Sequence, residues 1–194
     1  MHTPRVQGSN DGLPGNDPIL LMVTPRPAGV DQCWALDAYT YPPAGLTRVA
    51  ELFSKAKYHG LGPPLMVLRN MFAEGAELAQ SIGKWPANLT VVPVGSSCSV
   101  PLALARAASA QIGSPLVELF LPPTGMKAKD ISSSTREAHA KARVATKPGT
   151  MCPPNVLLVD DLVETGATFA ASAAALRSIG VERVFAMAAV HIHR

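Results

Sequence analysis

Between Val156 and Thr168 the chain reads VLLVDDLVETGAT: an apolar run ends on two adjacent carboxylates, and a small-residue turn then opens a helical pattern. A short apolar run bounded in this way predicts a buried strand, and the helix after it predicts a crossover, so the stretch commits the chain to a parallel sheet. Ligands of such sheets sit at the carboxyl ends of the strands, which places Asp160 and Asp161 at an exposed binding edge. Neighbouring acids repel, a cost that a purely structural turn avoids. Two carboxylates there accept hydrogen bonds from vicinal sugar hydroxyls, directly or through a hydrated cation. The turn Glu164, Thr165, Gly166, Ala167 and Thr168 then presents backbone N–H groups at a helix N-terminus, where about half a unit of positive charge attracts an anion such as phosphate. Gly166 permits close backbone approach, and the Thr165 and Thr168 hydroxyls either bond the anion or cap the helix. A strand-end turn with Thr165 as N-cap is the competing structural reading.

The rest of the pattern agrees with an α/β fold. Ile19 to Thr24 reads as a short strand stopped by Pro25 and Pro27. Apolar residues at spacings of three and four predict one helix through Leu46, Val49, Leu52, Phe53 and Ala56, and a second from Pro63 to Ile82. Leu89 to Val94 reads as a buried strand, followed by the turn GSSCS and an Ala-rich helix from Pro101 to Ile112. Leu116 to Leu121 and Asn155 to Asp160 are further strands, Ala167 to Ile179 a helix, and RVFAMAAVHI a last strand. Residues 1–18 are rich in Gly, Pro, Asn and Asp and read as a flexible tail. Residues 19–194 are then expected to form a single domain, with an N-terminal helical hood over 19–84 and a parallel-sheet core over 85–194. Residues 122–150 hold six Lys or Arg without core periodicity and read as a functional loop.

Composition narrows the function classes. Of 194 residues, 47% are apolar and 16% charged, enough to bury a core and too little charge for a disordered chain. A net charge of +3 is too small to indicate nucleic acid, and 5% aromatic residues leave little for base-stacking platforms. Cys33, Cys98 and Cys152 lie far apart, without the paired spacing of a zinc site, so no protein metal ligands are assigned. No signal pattern opens the chain and no apolar run approaches the roughly 18 residues of a membrane span, so a cytoplasmic protein without membrane contact is expected.

The thirteen-residue string resembles the ribose-phosphate signature of the type I phosphoribosyltransferases, which bind 5-phosphoribosyl-1-pyrophosphate (PRPP) through a hydrophobic strand, an acid pair and a Thr-Gly loop. LFSKAKYHG (Leu52 to Gly60) and SSSTREAHAKARVA (Ser132 to Ala145) are similar to segments of the ComF-like branch. The zinc-binding cysteine pairs found at the front of many ComF proteins are absent. The resemblance implies a phosphoribosyltransferase-type fold and a Mg²⁺-dependent enzyme that transfers 5-phosphoribosyl to a nitrogenous base or related acceptor with release of pyrophosphate. It implies ribose contacts from Asp160 and Asp161, 5-phosphate contacts from Thr165, Gly166, Ala167 and Thr168, and a homodimer.

The first loop after the core strand binds pyrophosphate in that family and often carries a basic residue. Here VGSSCS (Val94 to Ser99) has none, leaving an anion nest of Gly95, Ser96 and Ser97 backbone N–H groups. Cations from the loop carrying Lys127, Lys129, Arg136, Lys141 and Arg143 would make up the deficit on closure. The alternative is a non-catalytic ComF-like protein that keeps the pocket to bind a nucleotide or single-stranded DNA. Glu164 is the candidate general base, and a helix-dipole carboxylate is its plainer role. His191 and His193 read as exposed strand-end residues and Cys98 as a small filler.

Overall fold

The computed structural model describes residues 5–6, 19–41, 45–96, 98–121, 144–147 and 153–192. Among them, six strands form one sheet in the order β1 (Arg5–Val6), β2 (Ile19–Met22), β3 (Gln32–Ala38), β8 (Arg183–His191), β7 (Asn155–Val163), β6 (Leu89–Pro93). Only β2 and β3 pair antiparallel; the other neighbours are parallel. Two-residue strands β4 (Thr40–Tyr41) and β5 (Gly45–Leu46) form a separate hairpin. Most of β6, β7 and β8 is buried on both faces, which is why these strands are continuous apolar runs rather than alternating ones.

Among the described residues four helices cover the sheet: α1 (Arg48–Tyr58), α2 (Gly62–Gly83), α3 (Val100–Ile112) and α4 (Ala167–Ser178). Thr47 caps α1 by accepting the Ala50 N–H at 3.1 Å, and its hydroxyl donates to the Ala38 carbonyl at 2.7 Å, tying the helix to the end of β3. Prolines 63 and 64 open α2, where their missing N–H groups cost nothing. Phe53 of α1, Leu68, Phe72 and Ala76 of α2, and Leu104 and Ala108 of α3 share one core with Leu157, Val159, Phe185 and Met187 of the sheet. Phe169, Ala173 and Leu176 of α4 form a second core on the opposite face with Val156, Leu158, Val184 and Ala186. Gly75 lets α2 lie close to the sheet, since a Cβ there would stand 2.7 Å from Leu36 Cδ1 and 3.1 Å from Met187 Cε.

The two helices expected as a hood thus form, with α3, the layer on one face of the sheet. They belong to its core rather than standing over it. Gln32–Ala38, to which the sequence reading assigned no element, is a central strand. Two further expectations are corrected. The strand expected at Leu116–Leu121 is reduced to single bridges, Leu116 to Val91 and Phe120 to Thr146. The β7 strand runs three residues beyond Asp160 to Val163. The basic loop residues Lys127, Lys129, Arg136, Lys141 and Arg143, together with Ser97, Cys152 and His193, lie outside the described residues, as does the expected tail except Arg5–Val6. Among the described residues no helix is long and apolar enough to cross a membrane.

Candidate functional site

The β6–β7 ladder ends at Pro93 and Val159, and Val94 N–H donates once more to the Val159 carbonyl at 2.9 Å. Beyond this point, among the described residues, β7 keeps only β8 beside it, as far as Val163 opposite His191. From β6 the chain leaves through α3 to one face; from β7 it leaves through α4 to the other. Neighbouring parallel strands whose connections depart to opposite faces leave a crevice at their carboxyl ends, the usual ligand position of such sheets. Gly95, Ser96 and Cys98 on one side and residues 160–166 on the other form its two lips.

Asp160 and Asp161 stand in this crevice but not as an exposed pair. Only 8% and 4% of their surfaces are accessible. Asp161 reaches the α1–α3 side of the sheet, where Leu157 and Val159 also pack; past it the strict alternation of the strand lapses, since Leu162 packs in that core too and Val163 in the other. Asp161 Oδ2 receives two partners there: Lys57 Nζ from the last turn of α1 at 2.7 Å, and the Cys98 thiol, which donates at 3.4 Å. Asp160 Oδ1 accepts the Asp161 N–H at 2.8 Å. Burial, reinforced by the negative charge of Asp161, holds the Asp160 carboxyl well above the usual carboxylate range. Burial opposes the charge of Lys57, yet the Asp161 carboxylate outweighs it and the ammonium titrates above its ordinary value.

On the loop lip, Ser96 Oγ accepts the Cys98 N–H at 3.2 Å, folding the turn back toward Asp161. Gly95 and Ser96 are half-buried. Burial raises the Cys98 thiol, keeping it a protonated donor, so Cys98 is more than filler: it joins the loop to the acid pair. A cleft of about 150 Å³ opens behind this loop, with Gly95, Ser96 and Cys98 on one side and Glu118, Phe120 and Lys147 on the other.

On the opposite lip, Glu164 is half-buried, Thr165 and Thr168 are exposed, and Gly166 takes the left-handed conformation at φ +73° as it opens α4. Thr165 Oγ1 accepts the Ala167 N–H at 3.4 Å. The Ncap residue Gly166 has no side chain to close the helix start, so the Thr165 hydroxyl one residue earlier supplies the bond to a first-turn N–H. His191, expected to be exposed, is 4% accessible and sits between β3 and β7 in the sheet. Among the described residues, no three His, Cys, Asp or Glu side chains gather closely enough to hold a metal ion.

Lys57 is the member of this site that sequence reasoning did not single out. It lies more than a hundred positions from Asp161, and only the likeness of its segment to ComF-like proteins marked it. No protein-family model and no curated protein matches the chain.

Proposed function

We propose that this chain has the phosphoribosyltransferase-type fold and transfers the 5-phosphoribosyl group of PRPP to a nitrogenous acceptor. One observation carries the reading: the Cys98 thiol of the small-residue loop after β6 bonds Asp161 of the acid pair at the carboxyl end of β7, and the chain runs on from there through Gly166 into α4. A sugar phosphate bearing a second anionic group needs three such elements together. The likeness of VLLVDDLVETGAT to the ribose-phosphate signature names the sugar.

In this reading the first-turn N–H groups of α4 and the Thr165 and Thr168 hydroxyls hold the 5-phosphate, where the helix dipole favours a dianion. Asp161 and Asp160 orient the ribose hydroxyls. Gly95, Ser96 and Ser97 hold pyrophosphate, which departs with the electron pair of the anomeric C–O bond as the acceptor nitrogen forms the new C–N bond. The sugar passes through an oxocarbenium-like state, so the protein's task is to place the acceptor and stabilise charge. Glu164, at the phosphate turn, takes the acceptor's proton. Among the described residues no third metal ligand stands beside Asp160 and Asp161, so Mg²⁺ would be held mainly by substrate oxygens with these two carboxylates as its protein partners, and would neutralise the leaving diphosphate.

Release of labelled pyrophosphate from PRPP and Mg²⁺, screened over purine, pyrimidine and related acceptors, tests the proposal. Acceptor-dependent release supports it. No release with any acceptor, together with salt-sensitive binding of single-stranded DNA, moves the reading to the non-catalytic alternative.

A further inference from the structure

The loop after β6 contains no basic residue, yet a cation stands beside it. Lys57 Nζ and the thiol of the loop residue Cys98 meet on the same oxygen, Asp161 Oδ2. Lys57 arrives from α1, which is anchored at its start by Thr47 and through its length by Phe53 and Ala56 in the core, so its last turn is held at the crevice. The side chain of Lys57 remains 24% accessible while that of Asp161 is 6% accessible. The ammonium lies 5.1 Å from the Phe53 ring centroid and 6.0 Å from that of Tyr58 at the end of a flexible stem, whereas the carboxylate is fixed in the strand.

We propose that Lys57 exchanges partners on ligand binding, leaving Asp161 for a diphosphate seated at Gly95 and Ser96 and so releasing Asp161 to the sugar. This rests on the phosphoribosyl reading for the sugar, but not for the anion. A diphosphate offers Lys57 more charge than one carboxylate, and the loop's N–H groups add to its hold without supplying a cation of their own. The exchange makes the two subsites cooperative, because filling the anion site removes a competitor for Asp161.

Inorganic pyrophosphate with Mg²⁺, and ribose 5-phosphate as a second probe, are titrated by calorimetry into the full chain and its variants. Lys57→Met should bind pyrophosphate at least about tenfold more weakly, the worth of one charge-assisted hydrogen bond, and Lys57→Arg should bind it nearly as the unaltered protein does. Pyrophosphate should tighten ribose 5-phosphate binding severalfold in the unaltered chain and not in Lys57→Met. Removing Lys57 alone strands the Asp161 charge, so the double variant Lys57→Met/Asp161→Asn, which removes both charges, is titrated alongside and should show the same loss of pyrophosphate. Unchanged pyrophosphate affinity in the folded double variant, or no pyrophosphate binding by the unaltered chain, overturns the inference. Pyrophosphate binding that depends on Lys57, without any binding of ribose 5-phosphate or PRPP, upholds Lys57 as the anion's partner and discards the phosphoribosyl reading instead.

Discussion

The ring of Pro27 occupies the space that a side chain on Gly166 would need. A Cβ there would stand 2.7 Å from Pro27 Cγ and 3.0 Å from Pro27 Cβ. Gly166 is required at this place by its neighbour and by its φ of +73°, both independent of any ligand. The sequence suggested close approach to an anion; the structure adds a contact with the segment between β2 and β3.

Gly166→Val should consequently destabilise the protein itself, by about 2–4 kcal/mol, from left-handed strain together with displacement of Pro27. Gly166→Ala should cost less, about 1–3 kcal/mol. Urea denaturation followed by circular dichroism checks both. A Val variant as stable as the unaltered protein would contradict this account of the turn.

Asp160 and Asp161 should respond differently to loss of charge. The folded state holds the Asp160 proton more tightly than the unfolded chain does, so this group lowers stability as pH rises above the unfolded value of about 3.9. Asp160→Asn should leave stability at pH 7 unchanged or higher and flatten its decline with pH. Asp161→Asn strips the half-buried Lys57 of its counter-ion and should cost about 1–3 kcal/mol at pH 7. Denaturant midpoints measured from pH 4 to 8 separate the two. Both substitutions should weaken PRPP binding.

Asp37, at the carboxyl end of β3, provides a second pH dependence. Burial pushes its carboxyl up to about 6, against the opposing hydrogen bonds from the Ala38 N–H at 2.8 Å and the Tyr41 hydroxyl at 3.2 Å. Because the folded value exceeds the unfolded one, its contribution is fully present below pH about 4 and fades as pH rises toward 6. The unaltered protein should lose on the order of 2–3 kcal/mol across that window relative to Asp37→Asn. Parallel stability curves for the two proteins would rule this out.

Arg177 joins three separate pieces of chain. Its guanidinium donates to the Gly29 carbonyl at 3.0 Å, to the Glu182 carbonyl at 2.8 Å and to Asp31 Oδ2 at 3.2 Å. Asp31 Oδ2 in turn accepts the Val184 N–H at 2.7 Å. The ion pair is solvent-exposed and weak on its own, so most of the effect lies in the carbonyl bonds. Arg177→Ala should cost about 1–2 kcal/mol, and Arg177→Lys should recover little because an ammonium cannot span the three acceptors. Hydrogen exchange at the Val184 amide should quicken in both.

Elements with one strong period were legible in the sequence. The spacing of Leu68, Phe72, Ala76 and Ala79 marked α2, and its ends came within a residue of the reading. The same holds for α3 and α4. The β3 strand was illegible because QCWALDA is short, mixed in polarity and buried on both faces, so neither alternation nor a uniform apolar run appears. Leu116–Leu121 carries the composition of a strand, but its pairing to Val91 and Thr146 is confined to single bridges, and that depends on partners far along the chain. The acid pair was found from local pattern alone. Its burial and its tie to Lys57 were not, because they depend on β7 continuing to Val163 and on α1 delivering that side chain.

One oxygen of Asp161 fastens a helix from early in the chain and a loop from its middle to a strand near its end. A disturbance in any of the three is thus felt by the other two, so the rim at this end of the sheet behaves as one mechanical unit although its parts are far apart along the backbone.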